Sequence, residues 1–135
     1  MRPNQSDRAH CSPPCGAFWQ QRQARCTDAG GRHVAVDIEE AIRMNADCMA
    51  VQTFIGADGQ LSSIDNLSKT INAGMRYSIP TMGVVAVGKQ MERTDRFFKL
   101  ATRIVAEMGV QLVKTYNCEN FEEIVAACPV PIVVA

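Results

Sequence analysis

The sequence predicts an α/β fold in which a parallel sheet is covered by helices. Three observations predict it. From Val34 onward, apolar β-branched runs of strand length alternate with segments of helical periodicity. The connections between successive runs are long enough for crossovers, and glycines or capping residues mark the junctions. Two architectures share this pattern, an open doubly wound sheet and a (β/α)8 barrel, and periodicity does not choose between them.

The chain divides at about residue 33. Residues 1–33 are rich in arginine, glutamine, proline and cysteine, hold no lysine and show no apolar period, so they read as an irregular leader. His10, His33, Cys11, Cys15 and Cys26 lie there, but the spacing C-x3-C-x10-C-x6-H matches no common finger, and no metal site is expected. Residues 34–135 carry the patterned domain.

Val34 to Val36 suits a short lead-in strand. Asp37 followed by Glu40 predicts a capping box, and Ile38, Ala41 and Ile42 supply the buried stripe of a short helix. Cys48 to Phe54 reads as a strand running into the loop Ile55-Gly-Ala-Asp-Gly59. Leu61, Ile64, Leu67, Ser68 and Ile71 trace a helical face that is expected to stop at Gly74 as a left-handed C′ residue. Pro80 to Val87 is the next strand. Phe97, Ala101, Ile104, Val105 and Met108 mark the clearest helix, ended by Gly109. A strand within Gly109 to Tyr116, a helix from Phe121 to Cys128 capped by Asn120 with Glu123, and an apolar segment from Val130 to Ala135 complete the chain.

One residue breaks the apolar pattern informatively. Lys114 lies inside Gly109-Val-Gln-Leu-Val-Lys-Thr-Tyr116, a run otherwise suited to a buried strand. An ammonium withdrawn from water loses hydration, which favours the neutral, nucleophilic amine, and such amines form Schiff bases with ketones. Alternation along the strand puts Leu112, Lys114 and Tyr116 on one face, so a phenol is expected beside the amine for proton transfer. The plainer alternative is a lysine whose stem covers apolar surface while its head reaches solvent.

Composition narrows the functional classes. The 135 residues are 47% hydrophobic, enough for a globular core, and 14 basic residues balance 14 acidic ones, which points away from nucleic acid and anionic membranes. The longest apolar runs fall short of the roughly 20 residues of a spanning helix. No basic start followed by an apolar core follows Met1, so a reducing cytoplasm is expected and the six cysteines read as thiols.

Val51-Gln-Thr-Phe-Ile-Gly56, Asn72-Ala-Gly-Met75, Pro80-Thr-Met82, Val87-Gly-Lys89, Leu100-Ala-Thr-Arg-Ile-Val-Ala-Glu-Met-Gly109, Val113-Lys-Thr-Tyr116 and Ala127-Cys-Pro-Val-Pro-Ile-Val-Val-Ala135 carry a resemblance. In order and spacing they resemble the middle of the class I aldolases of archaeal fructose-bisphosphate type (DeoC-like), most closely the autoinducer-2-processing branch, the 3-hydroxy-5-phosphonooxypentane-2,4-dione thiolases. The resemblance implies a partial (β/α)8 TIM barrel, about strands four to seven, with the Schiff-base lysine of the sixth strand at Lys114. It implies acetyl transfer from a small phosphorylated ketone to coenzyme A as co-substrate, without a resident cofactor, in an oligomeric quorum-sensing-signal enzyme.

By the same resemblance Phe54, Gly56 and Lys89 are expected on the substrate side, because barrel sites lie beyond the strand C-termini. Relatives commonly place a tyrosine where Phe54 stands. Phenylalanine cannot exchange a proton, which leaves Tyr116 or water for that step. Only about half of a barrel of typically ~250 residues is present, without the usual phosphate cradle after strands seven and eight. Half a barrel has two sheet edges and an uncovered inner face, so weak activity, poor isolated folding and self-association are expected, and a non-catalytic assembly role competes with catalysis. Asn4 to Gly16, back-translated with permitted codons and read one frame over, resembles the family's preceding strand, so the leader is expected to be out-of-frame sequence of a truncated gene.

Overall fold

The computed structural model describes residues 36–87 and 92–135. The leader, Val34, Ala35 and Lys89 lie outside them. The elements are α1 (Ile38–Arg43), β1 (Met49–Thr53), α2 (Gln60–Tyr77), β2 (Thr81–Val85), α3 (Asp95–Glu107), β3 (Leu112–Thr115), α4 (Phe121–Ala127) and β4 (Ile132–Val134). All strand pairs are parallel, and the sheet order is β1-β2-β3-β4, the order of the chain. A doubly wound sheet reverses direction at a switch point, whereas a barrel adds each strand beside the last. The described strands follow the barrel rule.

The two faces of the sheet differ. Val51, Val85 and Val113 meet Leu67 and Ile71 of α2, Phe98, Ala101 and Val105 of α3 and Ile124 of α4 in the main core. Cys48, Ala50, Met82, Val84 and Leu112 form a second cluster made of strand-side residues alone. This division follows from the parallel register, in which Cα partners point to the same side. All three crossover helices therefore lie on one face, as the right-handed crossover rule requires.

Helix boundaries depart from the sequence expectation where local chemistry competes with periodicity. Asp37 caps α1 by accepting from the Ile38 N–H at 2.6 Å, but Ile42, expected in the buried stripe, is 42% exposed. Gly74 does not end α2. The helix runs on to Tyr77, and Ser78 takes the left-handed conformation at φ 57°. Gly74 is instead a close-approach residue, since a Cβ there would lie 2.5 Å from the Ile79 carbonyl oxygen.

Leu61, expected on the buried face of α2, is 83% exposed, while Leu67 and Ile71 are buried. In α3 the fully buried positions are Phe98, Ala101, Thr102, Val105 and Ala106, with Phe97, Ile104 and Met108 packed at their margin. The face is rotated relative to a purely apolar count because Thr102 donates to the Phe98 carbonyl at 2.7 Å and so is buried without an orphan hydroxyl. Gly109 ends this segment at φ 102°. Asn120 makes no side-chain cap for α4. Its amide donates to Asp95 Oδ2 at 2.6 Å, and Glu123 pairs with Lys99 at 3.1 Å instead.

Candidate active site

Lys114 is the third residue of β3 and lies half-buried on the helix-free face. The ladders place Gln52, Val84, Lys114 and Val133 in a single row across β1, β2, β3 and β4. Strand geometry thus holds the lysine between two valines, near the C-terminal end of β3. A hollow of about 100 Å³ opens there, lined by Gln52, Val84, Val85, Ala86, Lys114, Thr115, Tyr116 and Ala135.

Tyr116 shares the hollow with Lys114, but strand alternation does not put it there. The strand ends at Thr115, and the tyrosine ring packs on the helix-side core, 6.3 Å from the Phe98 ring centroid. The Arg93 guanidinium lies 4.8 Å from the tyrosine ring centroid in a cation–π contact. Tyr116 therefore lines the hollow from just beyond the end of β3, with its ring held between Phe98 and Arg93.

Phe54 and Gly56 follow β1, and neither lines the hollow. Phe54 is buried, with its N–H donating to Ser63 Oγ at 3.1 Å. Gly56 turns the chain at φ 75° and donates its N–H to Gln60 Oε1 at 2.5 Å. Both position the β1–α2 connection. The described residues hold no group of three or more histidine, cysteine or acidic side chains suited to a metal.

Sequence reasoning missed Gln52. It interrupts the apolar run Cys48 to Phe54 much as Lys114 interrupts its own strand, and that was the available signal. Burial and a hydrogen bond to Asp95 push the Cys118 thiol up from its ordinary value. That thiol belongs to the β3–α4 connection and packs on the helix side.

A chain-ordered parallel sheet with its crossover helices on one face is the architecture of part of a (β/α) barrel. Solved structures agree on the fold. An archaeal fructose-1,6-bisphosphate aldolase, seen with its catalytic lysine bound to a carbinolamine intermediate, superimposes with a TM-score of 0.68 at 18% identity, covering 77% of this chain and 45% of that one. A Schiff-base-forming fructose-1,6-bisphosphate aldolase gives 0.69 at 17% identity, covering 76% and 44%.

Sequence comparison is more specific. A 3-hydroxy-5-phosphonooxypentane-2,4-dione thiolase of Yersinia pseudotuberculosis is 51% identical over 110 residues, 81% of this chain and 38% of the relative. That of Enterobacter sp. (strain 638) is 52% identical over 103 residues, 76% and 35% respectively, and an uncharacterized aldolase of Pasteurella multocida is 48% identical over 110, 81% and 38%. No protein-family model matches the chain. The matched stretch is homologous to a segment of these thiolases and aldolases, and the chain spans less than two fifths of their length. A match of 110 residues is longer than Val34 to Ala135, so it includes positions before Val34.

Proposed function

We propose that this chain carries the imine-forming portion of a ketone-cleaving barrel, with Lys114 as nucleophile. The observation that carries the reading is the lysine's place: the C-terminal end of a barrel strand, on the helix-free face, inside a hollow. A neutral Lys114 amine adds to the ketone carbon, and the carbonyl oxygen takes a proton to give a carbinolamine. Loss of that hydroxyl as water leaves an iminium, an electron sink for cleavage of the adjacent carbon–carbon bond. Tyr116, which lines the same hollow, is the phenol assigned to those proton transfers.

The relatives' names support a small phosphorylated ketone as substrate, and coenzyme A is assigned here as the acceptor of the acyl group in a thiolase version. Gly56 and Phe54 contribute by shaping the β1–α2 loop, and Lys89 is assigned to attraction of the phosphate. The setting is a soluble enzyme of the cytoplasm that acts on breakdown products of autoinducer-2. Among the described residues no helix is long and apolar enough to cross a membrane. The test is reduction with borohydride in the presence of dihydroxyacetone phosphate, read by intact mass. Wild type gains the reduced adduct and Lys114→Ala does not. Equal mass gain in both would reject the role of Lys114.

A second reading, assembly with another subunit, is favoured by exposed apolar side chains on the helices. Leu61, Met75 and Leu100 are 83%, 70% and 57% exposed. Size-exclusion chromatography with light scattering tests it. The assembly reading expects dimers or larger species, and a monodisperse monomer with a sharp melt contradicts it.

A further inference from the structure

We propose that Arg93 is the positioning residue for Tyr116: stacked on the phenol ring by a cation–π contact, it holds that ring in the lining of the hollow for proton transfer. The inference rests on the reading of Lys114 as nucleophile and Tyr116 as proton donor. It adds a residue to which neither the sequence pattern nor the resemblance gave a role.

Tyr116 depends on restraint from outside its own strand. β3 ends at Thr115, and the ladder to β4 ends with it at Val134, so the register of the sheet sets where the tyrosine starts but not how its ring lies. Two side chains meet the ring. The Phe98 centroid lies 6.3 Å away at a tilt of 57°, and the Arg93 guanidinium lies 4.8 Å from the ring centroid.

Both come from one short stretch at the start of α3. Thr94 caps that helix, its Oγ1 accepting from the Phe97 N–H at 3.3 Å and its carbonyl from the Phe98 N–H at 3.1 Å. The same turn is tied to the β3–α4 connection, which begins with Tyr116, because Asn120 donates to Asp95 Oδ2 at 2.6 Å.

The two contacts differ in kind. Phe98 is buried and offers a fixed apolar wall, whereas Arg93 is exposed and contributes a planar cation, a shape and charge that suit an aromatic face. The reaction asks for a steady phenol. As the Lys114 amine forms the C–N bond, the carbonyl electron pair moves to oxygen, and that oxygen takes the phenol proton. The phenolate then takes a proton from the new N–C nitrogen, which restores the phenol and leaves the carbinolamine. A ring that swings away interrupts both transfers.

The test follows adduct formation on the Lys114 peptide of the full chain by mass, with hydroxyacetone and saturating cyanoborohydride. Hydroxyacetone carries no charge, so loss of an anion-binding arginine would not register. Arg93→Met is expected to lower the maximal rate about two- to fivefold and to leave the half-saturating ketone concentration unchanged. Arg93→Lys, which keeps a cation, is expected to fall between Arg93→Met and wild type. Tyr116→Phe is expected to be slower by about a hundredfold, and adding Arg93→Met to it should cost nothing more. A wild-type rate in folded Arg93→Met, an Arg93→Lys rate no higher than that of Arg93→Met, or an equal further loss in the Tyr116→Phe background overturns the role of Arg93 alone. So does a change confined to the half-saturating concentration. If circular dichroism shows Arg93→Met unfolded, Arg93→Gln replaces it in each comparison. A wild-type rate in Tyr116→Phe overturns the phenol reading as well, and absence of any adduct at Lys114 overturns the amine reading with both.

Discussion

The helix-covered face and the helix-free face of this sheet are built to different rules. On the first, Val51, Val85 and Val113 interlock with three helices, and buried hydroxyls such as those of Thr70 and Thr102 bond carbonyls one turn back. On the second, small and medium residues form a thinner cluster, and Gln52 and Lys114 stand toward its C-terminal end. Stability resides on the first face, and the second leaves room for chemistry. Substitutions on the helix side should cost folding free energy, whereas substitutions in the Gln52–Lys114 row should alter chemistry at little cost in stability.

The largest stability effect should come from Phe98→Ala. Phe98 is almost fully buried and contacts both Phe97 and Tyr116, so truncation is expected to cost about 3–5 kcal/mol in urea unfolding. Gly83→Ala should follow. Gly83 lets α3 approach the sheet so closely that an added Cβ would overlap Val105 Cγ1, and the overpacked variant is expected to lose about 1–3 kcal/mol. A loss under 0.5 kcal/mol in both would break the contrast between faces.

Lys114→Met should sharpen it. It exchanges a half-buried lysine for an apolar side chain of similar length, so the melting temperature should hold or rise while imine trapping disappears. Smaller still is the exposed Lys99–Glu123 pair between α3 and α4, where Lys99→Ala is expected to cost about 0.2–1 kcal/mol, less at high salt. Cys118 provides the mildest probe. Because burial and Asp95 raise its thiol, less thiolate is present at pH 8 than in an ordinary cysteine, and alkylation there should be slower than for an unstructured cysteine peptide.

The strand–helix alternation was legible because each apolar run is bounded by glycine, proline or a capping residue. Lys114 stood out in the sequence because a charge inside such a run has few structural uses, and the structure places it half-buried in the lining of the hollow. The end of α2 was not: Gly74 looked like a terminator, yet its lack of a side chain serves the approach of the Ile79 carbonyl, and Ser78 accepts the left-handed turn. Nor was the rotation of α3, since Thr102 counts as polar in sequence although its hydroxyl is satisfied within the helix. Tyr116 was assigned by alternation to the lysine's face, but β3 ends one residue earlier and the ring is free to turn onto Phe98. Gln52 went unnoticed because one amide among seven residues resembles ordinary variation until its oxygen is seen to be buried and unpaired.

The central claim is that one lysine, by its position on the helix-free face, is chemically set apart from the others. The chain has four: Lys69, Lys89, Lys99 and Lys114. Borohydride reduction with dihydroxyacetone phosphate, followed by peptide-resolved mass spectrometry, ranks them directly. The account predicts that the adduct concentrates on the Lys114 peptide, and an adduct spread evenly over the four lysines, or concentrated on exposed Lys69 or Lys99, would contradict it.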